Sequence, residues 1–317
     1  MAIKVGLLLI FFSVMVGIGL YCRRHATNVN GFVLGGRSVG PWLTAFAYGT
    51  SYFSAVVFVG YAGQFGWKYG IAATWAGIGN ALLGSLLAWV VLGRRTRIMT
   101  QHLDSATMPE FFGKRFGSKK LKVAASVIIF IFLIPYTASL YNGLSRLFGM
   151  AFDIDYTVCV IVMAVLTGVY VIAGGYMATA INDFIQGIIM LFGICAVILA
   201  VLNSQGGFLA ALEGLAQVSD PAVSSAPGVF ASFFGPDPAN LLGVVLLTSL
   251  GTWGLPQMVQ KFYAIKSEKS IDAGTVISTL FALVVAGGCY FLGGFGRLFA
   301  GQMEVVNGVP VGGYDVV

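Results

Sequence analysis

Long apolar stretches dominate this chain: about eight of them, each close to 20 residues long, follow one another between short polar segments. A helix of about 20 apolar residues matches the thickness of the hydrocarbon core of a bilayer. Backbone groups in lipid must be hydrogen-bonded within their own segment, so stretches of this kind form helices. The sequence therefore predicts an all-α polytopic membrane protein. The predicted spans are Ile3–Cys22, Pro41–Gly63, Ile71–Leu92, Val123–Leu144, Tyr156–Met177, Phe184–Leu202, Leu241–Gln260 and Ala273–Phe295.

The charged residues agree with this prediction and indicate an orientation. Only 9% of the residues are charged, against roughly 25% in a soluble domain. Most of the 18 basic residues lie within 23–37, 94–122 and 261–269, which are alternate loops on one side of the membrane. Such loops stay cytoplasmic, so we expect a multi-pass protein of the plasma (inner) membrane with its N-terminus outside. This topology explains the net charge of +6 without a nucleic-acid partner. The opposite loops carry acidic residues: Asp153, Asp155, Glu213, Asp220, Asp237, Glu304 and Asp315.

The second predicted span has small and hydroxyl residues near its centre, at Gly49–Ser54. A break in a helix at this depth is tolerated only where it faces protein or a water-filled cavity. Secondary transporters build ion and substrate sites from such breaks. The alternative is a continuous helix whose hydroxyls bond to carbonyls one turn earlier. Spacing alone favours neither interpretation.

Two further spans contain residues that disturb a helix. In the seventh, Gly251, Gly254 and Pro256 predict an interrupted helical ladder, because Pro removes a donor and displaces the preceding turn. Trp253 beside them is either a flat binding face or a packing residue. In the fourth, Pro135 and Tyr136 indicate either a kink with a polar tip or a packing helix. The interrupted second and seventh spans are separated by five positions in order, which is typical of inverted-repeat transporters.

Asp183 stands at a predicted membrane boundary with no basic residue close in sequence. One interpretation is a cation-attracting group on the inner side of an ion path, since intramembrane carboxylates are costly and usually functional. The other is an N-terminal helix cap formed by Asn182 or Asp183. No HExxH, GxSxG, Walker A lysine or His/carboxylate cluster is present. The sequence therefore predicts that the protein is not an enzyme and uses no organic cofactor.

Several motifs together resemble the sodium:solute symporter family, which contains proline, pantothenate and sugar/sodium symporters. They are Leu34–Trp42, Ala106–Phe112, Gly174–Gly187 and Gly254–Pro256. The resemblance covers essentially the whole chain and implies a LeuT-like fold of two inverted five-helix repeats with sodium-coupled alternating access. It implies one incomplete transporter domain over 1–317. Its parts are an extra leading helix (3–22), the first repeat (41–202), an extracellular loop (203–240) with a short surface helix, and the start of the second repeat (241–317).

The resemblance also implies site residues. The backbone carbonyls of Thr50 and Phe53 would bind Na⁺, with Ser54 beside them. Asp183 matches a carboxylate that the family uses in sodium passage or in a second sodium site. The residues implied for the substrate cavity are Tyr52, Val57, Tyr136, Thr252 and Trp253.

Two departures from the proline-transporter pattern bear on this assignment. Tyr52 replaces an acidic residue, which excludes a carboxylate role there and leaves the sodium stoichiometry open. Thr248 replaces a Trp. The implied function is sodium symport of a small organic solute, such as proline or pantothenate. The alternative is a membrane solute sensor that relays to a cytoplasmic signalling partner. The predicted partners are the lipid bilayer, Na⁺ and the solute, and the oligomeric state is left open.

By the family pattern, an eighth core helix with small hydroxyl residues should follow and complete the sodium site. We therefore expect the chain of 317 residues, taken alone, neither to coordinate sodium fully nor to transport. The expectation is tested by measuring sodium-dependent solute uptake by vesicles that contain only this chain. Robust sodium-dependent uptake would contradict the expectation.

Overall fold

The computed structural model describes residues 2–54, 56–152, 154–221, 223–224, 226–302, 305–306 and 309–310. Its helices are α1 Ala2–Cys22, α2 Val29–Leu34, α3 Pro41–Tyr52, α4 Ala62–Tyr69, α5 Thr74–Gly79, α6 Arg94–His102, α7 Met108–Arg115, α8 Lys119–Phe152, α9 Tyr156–Ser204, α10 Phe208–Gln217, α11 Pro238–Leu250, α12 Pro256–Ala264 and α13 Glu268–Gly293. Wider π-helical turns occupy Val56–Tyr61, Asn80–Leu87 and Trp89–Gly93. A two-residue strand pair, β1 Val305–Val306 with β2 Val309–Pro310, is antiparallel. Asp153, Glu304, Asp315 and the C-terminal stretch Tyr314–Val317 lie outside the described residues.

The all-α membrane fold is confirmed, but the spans differ from the prediction in number. Within the described residues, five helices are long and apolar enough to cross a bilayer, or six with the pair Pro238–Gly254 and Pro256–Ala264, which is bent by 53°. The second predicted span is missing from this set because its helix is interrupted after Tyr52. The fifth and sixth predicted spans both lie in α9.

The helix α9 is 49 residues long, more than twice the length needed for one span. Gly175 divides it with φ 57° and ψ −149°, a conformation that residues with a side chain rarely adopt. Helical structure then continues from Tyr176 to Ser204. The segment between Met177 and Phe184, expected to lie between two spans, is therefore helix. Asp183 lies about two turns inside this second part of α9, so the interpretation of Asn182 or Asp183 as an N-terminal cap is wrong.

The chain forms two compact units, and the first comprises residues 2–52, 88–187 and 254–278. One of its cores packs small residues against Tyr176, with Ala47, Ala180 and Ala264 fully buried. The backbone near Val39 pairs with the end of α12, because Val39 N–H donates to Ala264 O at 3.3 Å and Lys266 N–H to Val39 O at 3.0 Å. These contacts bring α3, α9 and α12 together in the first unit.

Other apolar side chains of the first unit are exposed. Phe130 and Phe132 on α8 are 70% and 69% exposed. A helix that is apolar on all sides is typical of a lipid environment. The exposure of α8 thus agrees with a membrane-spanning role.

The helix α7 shows how the basic segment 94–122 is ordered. The Thr107 hydroxyl accepts from Glu110 N–H, and the Glu110 carboxylate accepts from Ala106 N–H at 2.9 Å. This exchange satisfies donors at the start of the helix. The bond from Ala106 N–H lowers the pKa of Glu110, and Lys114 acts in the same direction.

The second unit comprises residues 53–87, 188–253 and those from 279 onwards. Its short helix α10 matches the surface helix expected within 203–240, and it buries Ala211 and Leu215 against Phe230 and Phe295. Hydrogen bonds from Arg297 stabilise this region. Arg297 donates to Trp67 O at 2.6 Å and to the Asp220 carboxylate at 3.0 Å.

Close glycine contacts hold the helices of the second unit together. A Cβ at Gly66 would lie 1.9 Å from the carbonyl oxygen of Gly293. Small residues let membrane helices approach until their backbones touch. This is the contact through which α4 packs on α13.

We expect Gly66→Ala to destabilise the protein, because the methyl group would meet backbone atoms that cannot rotate away. Overpacking of this kind costs about 1–3 kcal/mol. The unfolding temperature in detergent measures the effect. Gly243→Ala is the matched control, since a Cβ at Gly243 meets nothing within 4 Å and alanine favours a helix. Equal melting temperatures for the two variants would argue against this contact.

Candidate functional site

The first broken helix lies where the hydroxyl-rich stretch predicts it. The helix α3 ends at Tyr52, Phe53 forms a bend, and helical structure resumes at Val56. The broken interpretation of Gly49–Ser54 is therefore confirmed. The last four carbonyls of a helix have no partner within that helix, and the Thr50 carbonyl is one of them. The Ser54 carbonyl accepts from Val57 N–H at 3.0 Å.

An ion pair between a buried lysine and a partly buried aspartate lies near this helix end in the first unit. Asp183 Oδ2 is 3.6 Å from Lys261 Nζ, and the two side chains are 23% and 8% exposed. The Thr50 hydroxyl donates to Phe46 O at 2.9 Å within its own helix, and it lies near the Asp183 carboxylate. Asp183 thus joins three segments that are distant in sequence. Two of the residues assigned from sequence, Thr50 and Asp183, are brought together here.

Lys261 was missed as a site residue. The seventh span was expected to end at Gln260, with Lys261 in a basic cytoplasmic loop. In the structure α12 continues to Ala264, and Lys261 is buried on the face that α12 turns toward α9. The helical periodicity of this segment could have indicated that Lys261 is buried. Lys261 lies three residues after the buried Met258, on the same face of the helix, and next to the buried Phe262.

Aromatic and amide groups complete this polar region. The Lys261 ammonium is 5.2 Å from the centroid of the Tyr176 ring, over its face. The Tyr176 hydroxyl is buried and has no hydrogen-bond partner in the part of the chain that the structure describes. Asn182 on the same helix donates to Met15 O at 3.5 Å, which ties α9 to α1. The region therefore brings one carboxylate, one ammonium and two hydroxyls close together.

The second interruption also follows the prediction. The helix α11 ends at Leu250, a 3₁₀ turn covers Gly251–Gly254, and α12 begins at Pro256. The Thr252 hydroxyl donates to Ser249 O at 3.0 Å, and Trp253 Nε1 donates to Leu83 O at 3.0 Å. Trp253 is half-buried, and this bond fixes the orientation of its ring.

A polar contact precedes this turn. The side-chain oxygen of Asn80 accepts from the hydroxyls of Thr248 and Ser249, at 3.0 and 3.1 Å. Thr248 is the position where the proline-transporter pattern has a Trp. Here it serves to join α11 to the helical segment that contains Asn80.

The remaining residues assigned to the substrate cavity lie in different surroundings. Tyr52 is buried, with its ring edge-on to Tyr48 at 6.3 Å. Val57 is buried in the second unit. Tyr136 is half-buried on α8, and within the described residues no hydrogen bond, ion pair or ring contact joins it to Thr50 or Asp183. Their roles in binding stay predictions.

Comparisons with known proteins agree on one family. Residues 32–317 match the sequence model of the Sodium:solute symporter family. The chain is 34% identical over 269 residues to the sodium/proline symporters of Staphylococcus aureus strains JH9 and NCTC 8325, covering 83% of this chain and 50% of theirs. It thus spans about half the length of these curated relatives.

A solved structure with a similar fold is a Na⁺-coupled sialic acid symporter in a substrate-bound outward-open state. The TM-score is 0.74 at 15% identity, over 99% of this chain and 65% of that one. At this identity the likeness concerns the fold, which is that of a polytopic all-α transporter of the LeuT type.

We predict that Thr50→Val lowers the unfolding temperature, because valine keeps the shape of threonine but removes the hydroxyl that lies near the Asp183 carboxylate. Leaving a partly buried charged group without a polar neighbour costs about 1–3 kcal/mol. Thr44→Val is the control on the same helix: the Thr44 hydroxyl is buried and donates to Gly40 O at 2.8 Å, within its own turn. A decrease no larger than that of the control would show that the Thr50–Asp183 contact contributes nothing to stability.

Proposed function

This chain belongs to the sodium:solute symporter family, and we propose that the protein carries a small organic solute across the membrane together with Na⁺. The observation that carries the proposal is the Asp183 carboxylate, which is partly buried between helices, paired with Lys261 and close to Thr50 beside the break in α3. Carboxylates at such positions are rare and usually mark ion pathways. In transporters of this kind, the break in a helix also leaves backbone carbonyls free to bind a cation.

The proposed sodium ligands are the carbonyls of Thr50 and Phe53, with Ser54 beside them. Asp183 provides negative charge close to Thr50 and so favours a cation near the end of α3. Sodium bound there would stabilise the conformation that binds the solute. Coupling follows when sodium and solute favour the same conformation, since each then raises the affinity for the other.

The proposed solute is a small zwitterion or organic acid. The residues assigned to its cavity are apolar, hydroxylic or aromatic: Tyr52, Val57, Tyr136, Thr252 and Trp253. The names of the Staphylococcus aureus relatives make proline the first solute to test. The proposed orientation has the N-terminus outside, which places the basic inner segments in the cytoplasm.

Uptake by the full product of the gene tests this proposal. Vesicles that contain the protein are placed under an inward sodium gradient, and the uptake of external proline, pantothenate or a short organic acid is measured. We expect sodium-dependent uptake of one of them. Uptake that is equal in sodium and in choline would contradict sodium coupling.

We expect Asp183→Asn to raise the half-saturating sodium concentration at least tenfold, which corresponds to about 1.4 kcal/mol of lost sodium binding. Asp237→Asn is the matched control. Asp237 caps α11 through a bond from Asn240 N–H at 3.1 Å, and asparagine caps a helix equally well. An unchanged sodium dependence in Asp183→Asn would remove this carboxylate from the ion path.

A further inference from the structure

Lys261 has surroundings that are unusual for a lysine. Its side chain is 8% exposed, and its stem lies among the buried residues of α12. Burying an ammonium ion is costly unless an opposite charge accompanies it. Asp183 supplies that charge, and the face of the Tyr176 ring adds a second attraction.

The two charged groups of the pair are in ionic contact but not in a close hydrogen bond. The distance between Lys261 Nζ and Asp183 Oδ2 is 3.6 Å, whereas a strong charge-assisted bond between such groups is about 2.7–2.9 Å. A lysine has a flexible four-carbon stem, so its ammonium moves without any change in the backbone. The pair is therefore able to separate.

The ammonium stands where another cation would approach. Asp183 faces Thr50, whose carbonyl is a proposed sodium ligand, and Lys261 lies against the same carboxylate. The Tyr176 hydroxyl, buried and without a partner in the described part of the chain, offers one more oxygen in this region. Two cations beside one carboxylate repel each other, so each lowers the affinity of the site for the other.

We propose that Lys261 is a tethered competitor of sodium: its ammonium occupies the cation position at Asp183 in the empty protein, and an arriving sodium ion displaces it. This inference rests on the proposed function, because it concerns the ion of the same site. Lys261 then neutralises Asp183 whenever sodium is absent, which offsets the cost of an isolated carboxylate between membrane helices. Its return to Asp183 weakens sodium binding and so favours release.

Equilibrium binding of radioactive sodium to the purified full gene product, without solute, tests the competition. Lys261→Met removes the competing charge and keeps the length of the stem. We expect its sodium dissociation constant to decrease at least about fivefold, the lower end of ordinary coupling between two ligands. Lys269→Met, the same change at an exposed position nearby, should leave the constant unchanged.

Lys261→Arg should have the opposite effect. A guanidinium engages both oxygens of a carboxylate in a fixed geometry, so it is harder to displace than an ammonium. We expect the sodium dissociation constant of this variant to increase at least about fivefold. Because the buried charge is retained, Lys261→Arg also decides the question if Lys261→Met does not fold.

The Asp183→Asn background completes the test. Without the carboxylate there is nothing to compete for, so Lys261→Met should no longer change sodium binding. The proposal is overturned if folded Lys261→Met binds sodium no more tightly than the natural protein. It is equally overturned if the decrease persists in Asp183→Asn, or if Lys261→Arg binds sodium as tightly as the natural protein does.

Failure of the proposed function would be recognised separately. A protein that binds sodium but takes up no solute contradicts symport, while the comparison of Lys261 variants remains readable because it needs no solute. If neither the natural protein nor Lys261→Met binds sodium, the competition itself is disproved.

Discussion

The ion pair between Asp183 and Lys261 is the polar contact around which the proposed ion site of the first unit is arranged. Charges between membrane helices require a partner, and here the partners come from α9 and α12, with Thr50 of α3 beside them. Once the pair is formed, the three helices must lie close together. The fully buried Ala47, Ala180 and Ala264 allow this approach, because none of them carries a side chain large enough to hold the helices apart. Small residues and a polar contact thus act on the same interface.

The same rule governs the rest of the described chain. Lipid is as apolar as leucine, so burial of apolar surface does not by itself bring membrane helices together, and close packing has to do so. A Cβ at Gly274 would lie 2.3 Å from the Trp89 ring in the first unit, and one at Gly66 would meet the Gly293 carbonyl in the second. The abundance of glycine therefore serves contact between helices, in addition to the breaks at which the ion and solute sites are proposed.

The sequence predicted the local features well and the distant contacts poorly. Gly251 and Pro256 weaken a helix through their own chemistry, so the second break could be located without a structure. The spans were delimited by where apolar residues ended, and this criterion failed at Asp183 and Lys261, because each is a charged residue inside a helix. Each charge lies there because of the other. Two residues so far apart in the chain give no local sign that they form a pair, and only the packing of α9 on α12 reveals it.

The neutral Tyr52 gives this pair added weight. The proline-transporter pattern has an acidic residue at that position, beside the break in α3, whereas here the ring of Tyr52 packs edge-on to Tyr48. Negative charge near the Thr50 carbonyl must then come from Asp183. That carboxylate is already neutralised by Lys261, so the pair carries no net charge while it remains closed. In the proposed competition, a sodium ion gains the attraction of Asp183 only to the extent that Lys261 withdraws, so the strength of sodium binding would be set by how easily the lysine leaves.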